Sequence, residues 1–375
     1  MDDGGNNSGS AARILVVAGG TGGHIFPALA VAEELRRRSE SAEVDSTRYA
    51  IEFLGTQRPL EARLIPAAGF PLHAVPAAGL KGMGLLHMLQ NLMVLPRTAF
   101  AAERILKEFR PCVVIGVGGY VAGPVMLEAA LRDIPTVLIE PNARPGFTNR
   151  VLGPVVRAAA VGFKEAADFY GEKAYVTGHP VRRSFFEIPP KQPSSRFTVL
   201  IVGGSQGSRA INRTTVASLP LLAPLGNRIR IIHQTGEPDY NEVRTAYQSQ
   251  GPFGEVHAFI EDMAGELAQA DLVISRAGAT AVAELAAAGR AALLVPFPAA
   301  TDQHQLENAR AMERAGAARV IVQTELTPER LVAEVLGLVE NTERLRQMGI
   351  QARKLARPDA AARIADLIEA FARNA

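Results

Sequence analysis

The pattern of this chain restarts partway along. The apolar run Ile14–Val17 leads into Gly19-Gly20-Thr21-Gly22-Gly23 and a helical pattern; Thr198–Val202 leads into Gly203-Gly204-Ser205-Gln206-Gly207 and another. Between and after them, short apolar runs alternate with longer helical stretches: Ile51–Leu54, Cys112–Ile115, Thr136–Ile139, Arg230–His233, Leu272–Ser275, Ala292–Val295 and Val320–Val322. Nearly continuous apolar runs mark strands buried on both faces, hence parallel sheets covered by helices. Strand–helix alternation along the whole chain predicts an α/β, doubly wound architecture. At about 150 residues per domain, 375 residues suit two such domains.

The expected boundaries follow from the punctuation. Residues 1–11, acidic and rich in Gly, Ser and Asn with no apolar core, read as a disordered leader and not a signal peptide. Residues 12–180 form the first domain and 181–358 the second, with Pro189–Ser195 as a surface connection. A last helix within 359–375, after the break at Arg357-Pro358, is expected to pack back on the first domain. Two Rossmann-like halves facing across a cleft is the simplest arrangement.

Composition removes several function classes. Forty Lys and Arg stand against 38 Asp and Glu, a net charge of +2, which leaves no electrostatic footprint for nucleic acid. The single cysteine, Cys112, has no internal disulfide partner, rules out zinc-finger and iron–sulfur readings, and fits a reducing compartment as plain core. No stretch is long and apolar enough for a transmembrane helix.

A helix N-terminus offers unpaired N–H groups and partial positive charge to a phosphate, and glycine lets the backbone come close. Glycine-rich turns follow predicted strands at 19–23, 116–119 and 203–207, and Arg276-Ala277-Gly278-Ala279-Thr280 is a fourth candidate. None matches G-x-G-x-x-G, since Ile25 and Val121 stand where the third glycine belongs, and none matches Walker A. One such loop alone reads equally well as a tight βα turn. Four at the same βα position point to the ligand-binding edge of open α/β sheets.

Polar side chains gather around these loops. His24, in the first turn after the first loop, is a candidate general base, as a group that titrates near neutrality. Arg276 and Glu284 bracket the fourth loop, and a carboxylate at Glu284 suits a ribose diol. Asp302-Gln303-His304-Gln305, with Asn308 a turn later, suits sugar hydroxyls, Asp302 being alternatively a plain helix cap. Glu140-Pro141-Asn142 ends a strand, and Arg182 near the junction of the halves suits a pyrophosphate. There is no D-x-D metal clamp, no His/Cys/Asp/Glu cluster at metal spacing and no G-x-S-x-G elbow, so no metal and no cofactor is required by the sequence. Residues 80–97, with Leu85, Leu86 and Leu89 between Lys81 and Arg97, read either as an interfacial membrane helix or as an ordinary core helix.

Taken together, Gly19–Ala30, Gly118-Gly119-Tyr120-Val121-Ala122-Gly123-Pro124, Glu140-Pro141-Asn142, Gly203–Gly207 and Arg276–Ala279 stand in the order and spacing of one family. From about residue 13 to the C-terminus the chain resembles the MurG family of peptidoglycan N-acetylglucosaminyltransferases. The resemblance implies a two-lobed GT-B fold and an inverting transfer of GlcNAc. The donor would be UDP-GlcNAc. The acceptor would be the C4 hydroxyl of MurNAc-pentapeptide on undecaprenyl diphosphate (lipid I), giving lipid II. It also implies a peripheral location on the cytoplasmic face of the inner membrane, with other cell-wall and division proteins as further partners. Thr21, Gly22 and Gly23 would face the reaction centre, and Asn142 the donor sugar. Arg182 and Ser205 would meet the UDP phosphates, and Ile260 would present its backbone to uracil. Ala279, Thr280, Ala281, Val282, Ala283 and Glu284 would cradle the α-phosphate and ribose, Gln305 would hold GlcNAc hydroxyls, and Gly118, Gly119 and Tyr120 would serve the acceptor side. Pro141, His179, Glu237-Pro238 and His304 depart from the family's commonest pattern. Alternatives are another GT-B lipid glycosyltransferase, a UDP-GlcNAc 2-epimerase, and a non-catalytic nucleotide-binding module.

Overall fold

The computed structural model describes residues 11–41, 48–75, 95–192, 194–251, 254–298 and 303–373. The expected leader and the segment carrying Lys81, Leu85, Leu86 and Leu89 lie outside these residues, apart from Ala11 and the end of that segment, which enters the helix Leu95–Phe109. The chain divides into two compact units, Met1–Arg182 with Asp359–Ala375, and Arg183–Pro358. The division falls after Arg182 and not after residue 180, and the Arg182 guanidinium stacks 5.2 Å from the Phe26 ring of the first unit.

The first unit holds β1 (Ala12–Val17), β2 (Tyr49–Gly55), β3 (Leu72–Ala74), β4 (Val113–Gly116), β5 (Thr136–Glu140), β6 (Ala158–Val161) and β7 (Ala174–Val176). They form a parallel sheet in the order β3-β2-β1-β4-β5-β6-β7. Side chains alternate across a strand, and both faces of this sheet are covered. Ile14 and Val16 join one core cluster, Leu15 and Val17 the other, all essentially without solvent contact. The helix Ala360–Ala372 belongs to this unit. Its Ile364, Ala365 and Ile368 are sealed into the cluster that contains Leu35, and Arg38 pairs with Asp366 at 2.7 Å.

The second unit holds β8 (Phe197–Val202), β9 (Ile229–Gln234), β10 (Gly254–His257), β11 (Leu272–Ser275), β12 (Ala291–Leu294) and β13 (Ala318–Val320). Its sheet is parallel in the order β10-β9-β8-β11-β12-β13, over a core led by Val199, Ile201, Ile231, Ile274 and Leu293.

Both strand orders reverse at one place, between β1 and β4 in the first sheet and between β8 and β11 in the second. The four glycine-bearing loops follow those four strands. Each pair therefore flanks a topological switch point, where two βα crossovers diverge to opposite sides and leave a crevice at the carboxyl edge.

The sequence expectation misses β3, β6, β7 and β10. Three are short or outermost strands, and β6 reads Ala-Ala-Ala-Val, a composition that favours helix in isolation. The expected strand at Val320–Val322 is β13, Ala318–Val320, with Ile321 N–H still bonded to Leu294 O at 3.0 Å. Cys112 precedes β4 instead of opening it; its thiol meets the Arg13 carbonyl at 3.2 Å and is pushed up by burial.

Candidate active site

In the first unit the site is built around His24. Thr21 is the N-cap residue of the helix Gly22–Glu40, makes no side-chain cap hydrogen bond, and is followed by no acidic residue in the first turn. His24 Nδ1 lies 3.1 Å from the Gly19 carbonyl oxygen and 3.4 Å from Thr21 Oγ1. A carbonyl only accepts, so Nδ1 carries the hydrogen and the lone pair is on Nε2. The other side of the ring rests on the second loop. A Cβ on Gly118 would fall 3.3 Å from His24 Nε2, and one on Gly119 only 2.6 Å from Gly19 O. Both glycines have positive φ, +104° and +83°. The two loops of the switch point thus hold one imidazole between them. Burial pulls its pKa below 6.5, opposed by the Gly19 carbonyl and by the Glu61 carboxylate, so the ring is neutral at physiological pH.

Glu61, a residue the sequence reading passed over, anchors the first loop from below. Fully buried, it accepts hydrogen bonds from Gly20 N (2.6 Å), Thr56 Oγ1 (2.9 Å) and Thr56 N. Its only sequence signal is a carboxylate at the inward face of the helix Pro59–Ala67.

Glu140 plays the same part at the end of β5. It is fully buried and accepts from Asn142 N (2.9 Å), Asn142 Nδ2 (3.0 Å), Gly146 N (3.0 Å) and Asn149 Nδ2 (2.8 Å). The bonds aim the Asn142 carboxamide, leaving its oxygen for a ligand. Burial raises the Glu140 pKa, against the pull of these four donors. His179 is buried beside Pro141, and burial lowers its pKa to about 4. Tyr120, beside Gly119, is 40% exposed.

In the second unit the loop after β8 is pressed against the end of β9. Cβ atoms on Gly207 and Gly236 would strike Thr235 O and Gln206 O respectively, so only glycine allows the approach. Ser205, half-buried, lies within this loop. Gln234 donates from Nε2 to Gly204 O (3.0 Å) and accepts at Oε1 from Ile260 N (2.8 Å). Beneath, fully buried His233 bridges Tyr247 OH and Asn212 Oδ1, each at 3.1 Å, and burial lowers its pKa to about 3.

The helix Ala279–Ala288 starts at Gly278 with no side-chain cap and no acid in its first turn. Ala279, Thr280, Ala281, Val282, Ala283 and Glu284 fill its first six positions, with Ala279 buried and the other five half-buried. Arg276 braces this loop. Its Nη1 donates to the Val295 and Pro296 carbonyls (3.1 and 3.2 Å) and its Nη2 to Gln323 Oε1 (2.7 Å). Burial lowers its pKa to about 10, leaving it charged. Gln305, in the helix His304–Arg314, accepts from Phe297 N at 3.0 Å, which leaves its NH2 group for a ligand. Asp302 lies outside the described residues.

The structure thus gathers Thr21, Gly22, Gly23, His24, Gly118, Gly119, Tyr120 and Asn142 at one carboxyl edge. Ser205, Ile260, Arg276, Ala279–Glu284 and Gln305 gather at the other.

The glycosyltransferase family 28 N-terminal domain model matches residues 14–161 and the family 28 C-terminal domain model residues 198–364. A UDP-N-acetylglucosamine–N-acetylmuramyl-(pentapeptide) pyrophosphoryl-undecaprenol N-acetylglucosamine transferase from Anaeromyxobacter sp. (strain Fw109-5) is 46% identical, over 96% of this chain and 94% of its own length. The transferase of the same name from Myxococcus xanthus is 44% identical, over 95% and 92%. The crystal structure of Acinetobacter baumannii MurG superposes with a TM-score of 0.70 at 32% identity, over 96% of this chain and all of that one. A UDP-GlcNAc 2-epimerase from Neisseria meningitidis superposes at 0.67 with 14% identity, covering 96% and 100%, which is likeness of fold alone. The chain belongs to glycosyltransferase family 28 and, within it, to the MurG family of N-acetylglucosamine transferases.

Proposed function

We propose that this protein transfers GlcNAc from UDP-GlcNAc to the C4 hydroxyl of lipid I, producing lipid II and UDP. The observations that carry the reading are made in each unit by itself: a neutral, oriented imidazole at the switch point of the first sheet, and a helix N-terminus with no side-chain cap and no acid in its first turn at the switch point of the second.

The second unit takes the donor. The helix N-terminus at Gly278–Ala281 and the loop Gly203–Gly207 receive the diphosphate, with Arg182 adding charge, and Glu284 takes the ribose hydroxyls. Asn142 and Gln305 orient the sugar. The first unit takes the acceptor at Thr21–Gly23 and Gly118–Tyr120. His24 Nε2 accepts the proton of the C4 hydroxyl as that oxygen attacks C1 of the donor. The C1–O bond to the β-phosphate breaks on the opposite side, and its electron pair leaves with UDP. One displacement inverts the α-linked donor to a β-linked product. The leaving diphosphate is stabilised by N–H dipoles already in place, which need no reorganisation during the reaction.

The acceptor's lipid requires a membrane surface. Among the described residues no helix is long and apolar enough to cross one. Phe100 (72% exposed), Leu131 (73%), Phe147 (69%) and Val151 (61%) stand out on three helices of the first unit, Leu95–Phe109, Ala122–Leu131 and Phe147–Leu152. Exposed Arg97, Arg144 and Arg150 accompany them. Apolar side chains among cations suit the interface of an anionic bilayer, here the cytoplasmic leaflet.

Labelled UDP-GlcNAc incubated with lipid I, and with water alone, tests the reading. Lipid-linked disaccharide and stoichiometric UDP should form only with lipid I. Conversion of UDP-GlcNAc to its 2-epimer without acceptor would replace the transferase by the epimerase.

A further inference from the structure

The short helix Phe147–Leu152 buries one polar side chain, Asn149, which is 4% exposed. Its NH2 group donates to Glu140 Oε2 at 2.8 Å and to the Ile139 carbonyl at 3.4 Å. Both partners accept, so turning the amide over would set oxygen against oxygen, and the place of Oδ1 is fixed. That oxygen is sealed from solvent and meets no donor among the described residues. A buried amide oxygen without a donor is costly, and what lies beside it shows the donor it can gain.

The neighbour is His24. Asn149 Oδ1 and His24 Nε2 face the same bare side of Gly118, where a Cβ would lie 3.1 Å from the one and 3.3 Å from the other. With its hydrogen on Nδ1, bonded to the Gly19 carbonyl, the neutral ring presents a lone pair at Nε2. Two acceptors therefore converge on one spot. A proton on Nε2 replaces their repulsion by attraction between an imidazolium and a carboxamide oxygen. Glu140, behind the amide, adds to the negative charge on Oδ1 through the bond it accepts from Nδ2.

We infer that Asn149 is a positioning residue for the base, holding an amide oxygen against His24 so that the imidazolium is stabilised where it forms. The inference rests on the reading of His24 above. The proton passes from the acceptor hydroxyl to Nε2, and Asn149 itself exchanges none. The charged groups around the ring are Glu61 beneath the first loop, Arg58 on the Gly20 carbonyl, Glu140 behind Asn149, and exposed Arg150 next to Asn149. Tyr120 follows Gly119 on the second loop, and Arg182 lies over Phe26.

Magnetic resonance titration of the full-length protein, made with isotope-labelled histidine, reads the His24 midpoint directly, its signal being the one lost in His24→Ala. The acid limb of kcat/KM with lipid I reads it again. Asn149→Leu keeps the volume and removes the oxygen, and should lower both by about one pH unit, the size of one buried hydrogen bond. Asn149→Asp keeps the oxygen and shares a proton with Glu140, so the charge of that pair reaches Oδ1 and both readings should rise. A side chain that merely supported Glu140 would change kcat or KM and leave the midpoint where it was. A midpoint unmoved by Asn149→Leu, or unmoved or lowered by Asn149→Asp, overturns the inference. Should Asn149→Leu not fold, Asn149→Asp decides alone. Lipid-linked disaccharide made by the unsubstituted protein upholds the function in either case, whereas full turnover by His24→Ala removes the base and this inference with it.

Discussion

Replacing Gly118 by alanine tests whether the loop after β4 holds His24 in register. Two penalties arise. The first is backbone strain at φ +104°, about 1–2 kcal/mol for a residue with a Cβ. The second is local. The new methyl would sit 3.1 Å from Asn149 Oδ1, 3.3 Å from His24 Nε2 and 3.4 Å from His24 Cδ2. These contacts are tighter than a methyl tolerates, and the imidazole has little room to yield because Nδ1 is held to Gly19 O at 3.1 Å. The ring must move by a few tenths of an ångström. A 1 Å misplacement costs roughly 10²-fold in rate, so a shift of that size should lower kcat by roughly an order of magnitude. Gly69→Ala is the control. Its φ is +81°, comparable strain, but its methyl meets only the end of the flexible Arg36 side chain at 3.2 Å. Both variants should lose similar thermal stability, read by calorimetry, and only Gly118→Ala should lose turnover with lipid I. Gly119→Ala, whose methyl meets the Gly19 carbonyl at 2.6 Å, should lose more. If Gly118→Ala and Gly69→Ala turn over equally, His24 is not the base or the loop does not position it.

Other perturbations have defined outcomes. His24→Ala should lower kcat by about 10²–10⁴-fold while UDP affinity holds, and should abolish an acid limb in the kcat/KM profile that lies below pH 6.5 in the unsubstituted protein. Unchanged turnover would remove it from the base role. Glu61→Ala strips acceptors from the amides of Gly20 and Thr56 and should cost about 3–5 kcal/mol in denaturant unfolding together with most activity; a loss under 1 kcal/mol would contradict the anchoring role assigned to Glu61. His179 and His233 titrate near 4 and 3 when folded and near 6.5 when unfolded, so the unfolded chain binds more protons between these values. Stability should be full above pH 6.5 and fall, by several kcal/mol in all, as pH drops toward 4 and 3; His179→Asn should flatten the part belonging to the first unit, and an unchanged melting profile would refute that assignment. Phe100→Asp with Phe147→Asp should release the protein from phosphatidylglycerol vesicles with the fold intact, and undiminished binding would place the membrane surface elsewhere.

The place of the four loops at the carboxyl edges of the sheets was legible in the sequence because glycine loops after apolar runs are a local signal. The alternation located nine of the thirteen described strands. The misses share a cause: Ala158–Val161 carries no β-branched signal until its last residue, and Leu72–Ala74 and Ala174–Val176 are too short to show a period. What sequence did not reveal were supports whose partners are distant along the chain. Glu61 holds Gly20 across 41 positions, and Gln234 holds Gly204 across 30 and Ile260 across 26. Arg276 stood out for its charge beside a presumed phosphate loop, yet its hydrogen bonds go to the Val295 and Pro296 carbonyls and to Gln323. The exposed Leu127/Leu131 and Phe147/Val151 pairs, each four residues apart on a helix, were not singled out in the sequence, where the membrane-facing expectation fell on residues 80–97.

The helix Ala360–Ala372 bears on how the protein is made. Its Ile364 and Ile368 plug a hole in a body whose other parts are translated nearly two hundred residues earlier. While the ribosome is still working through Arg183–Pro358, the first sheet must wait half-sealed, with the greasy side of Leu35 uncovered. The intervening segment contains everything its own sheet needs and is free to mature ahead of it. Trimming the last dozen residues should accordingly leave the second unit sound and spoil the first, the part farthest from the cut when distance is measured along the polypeptide.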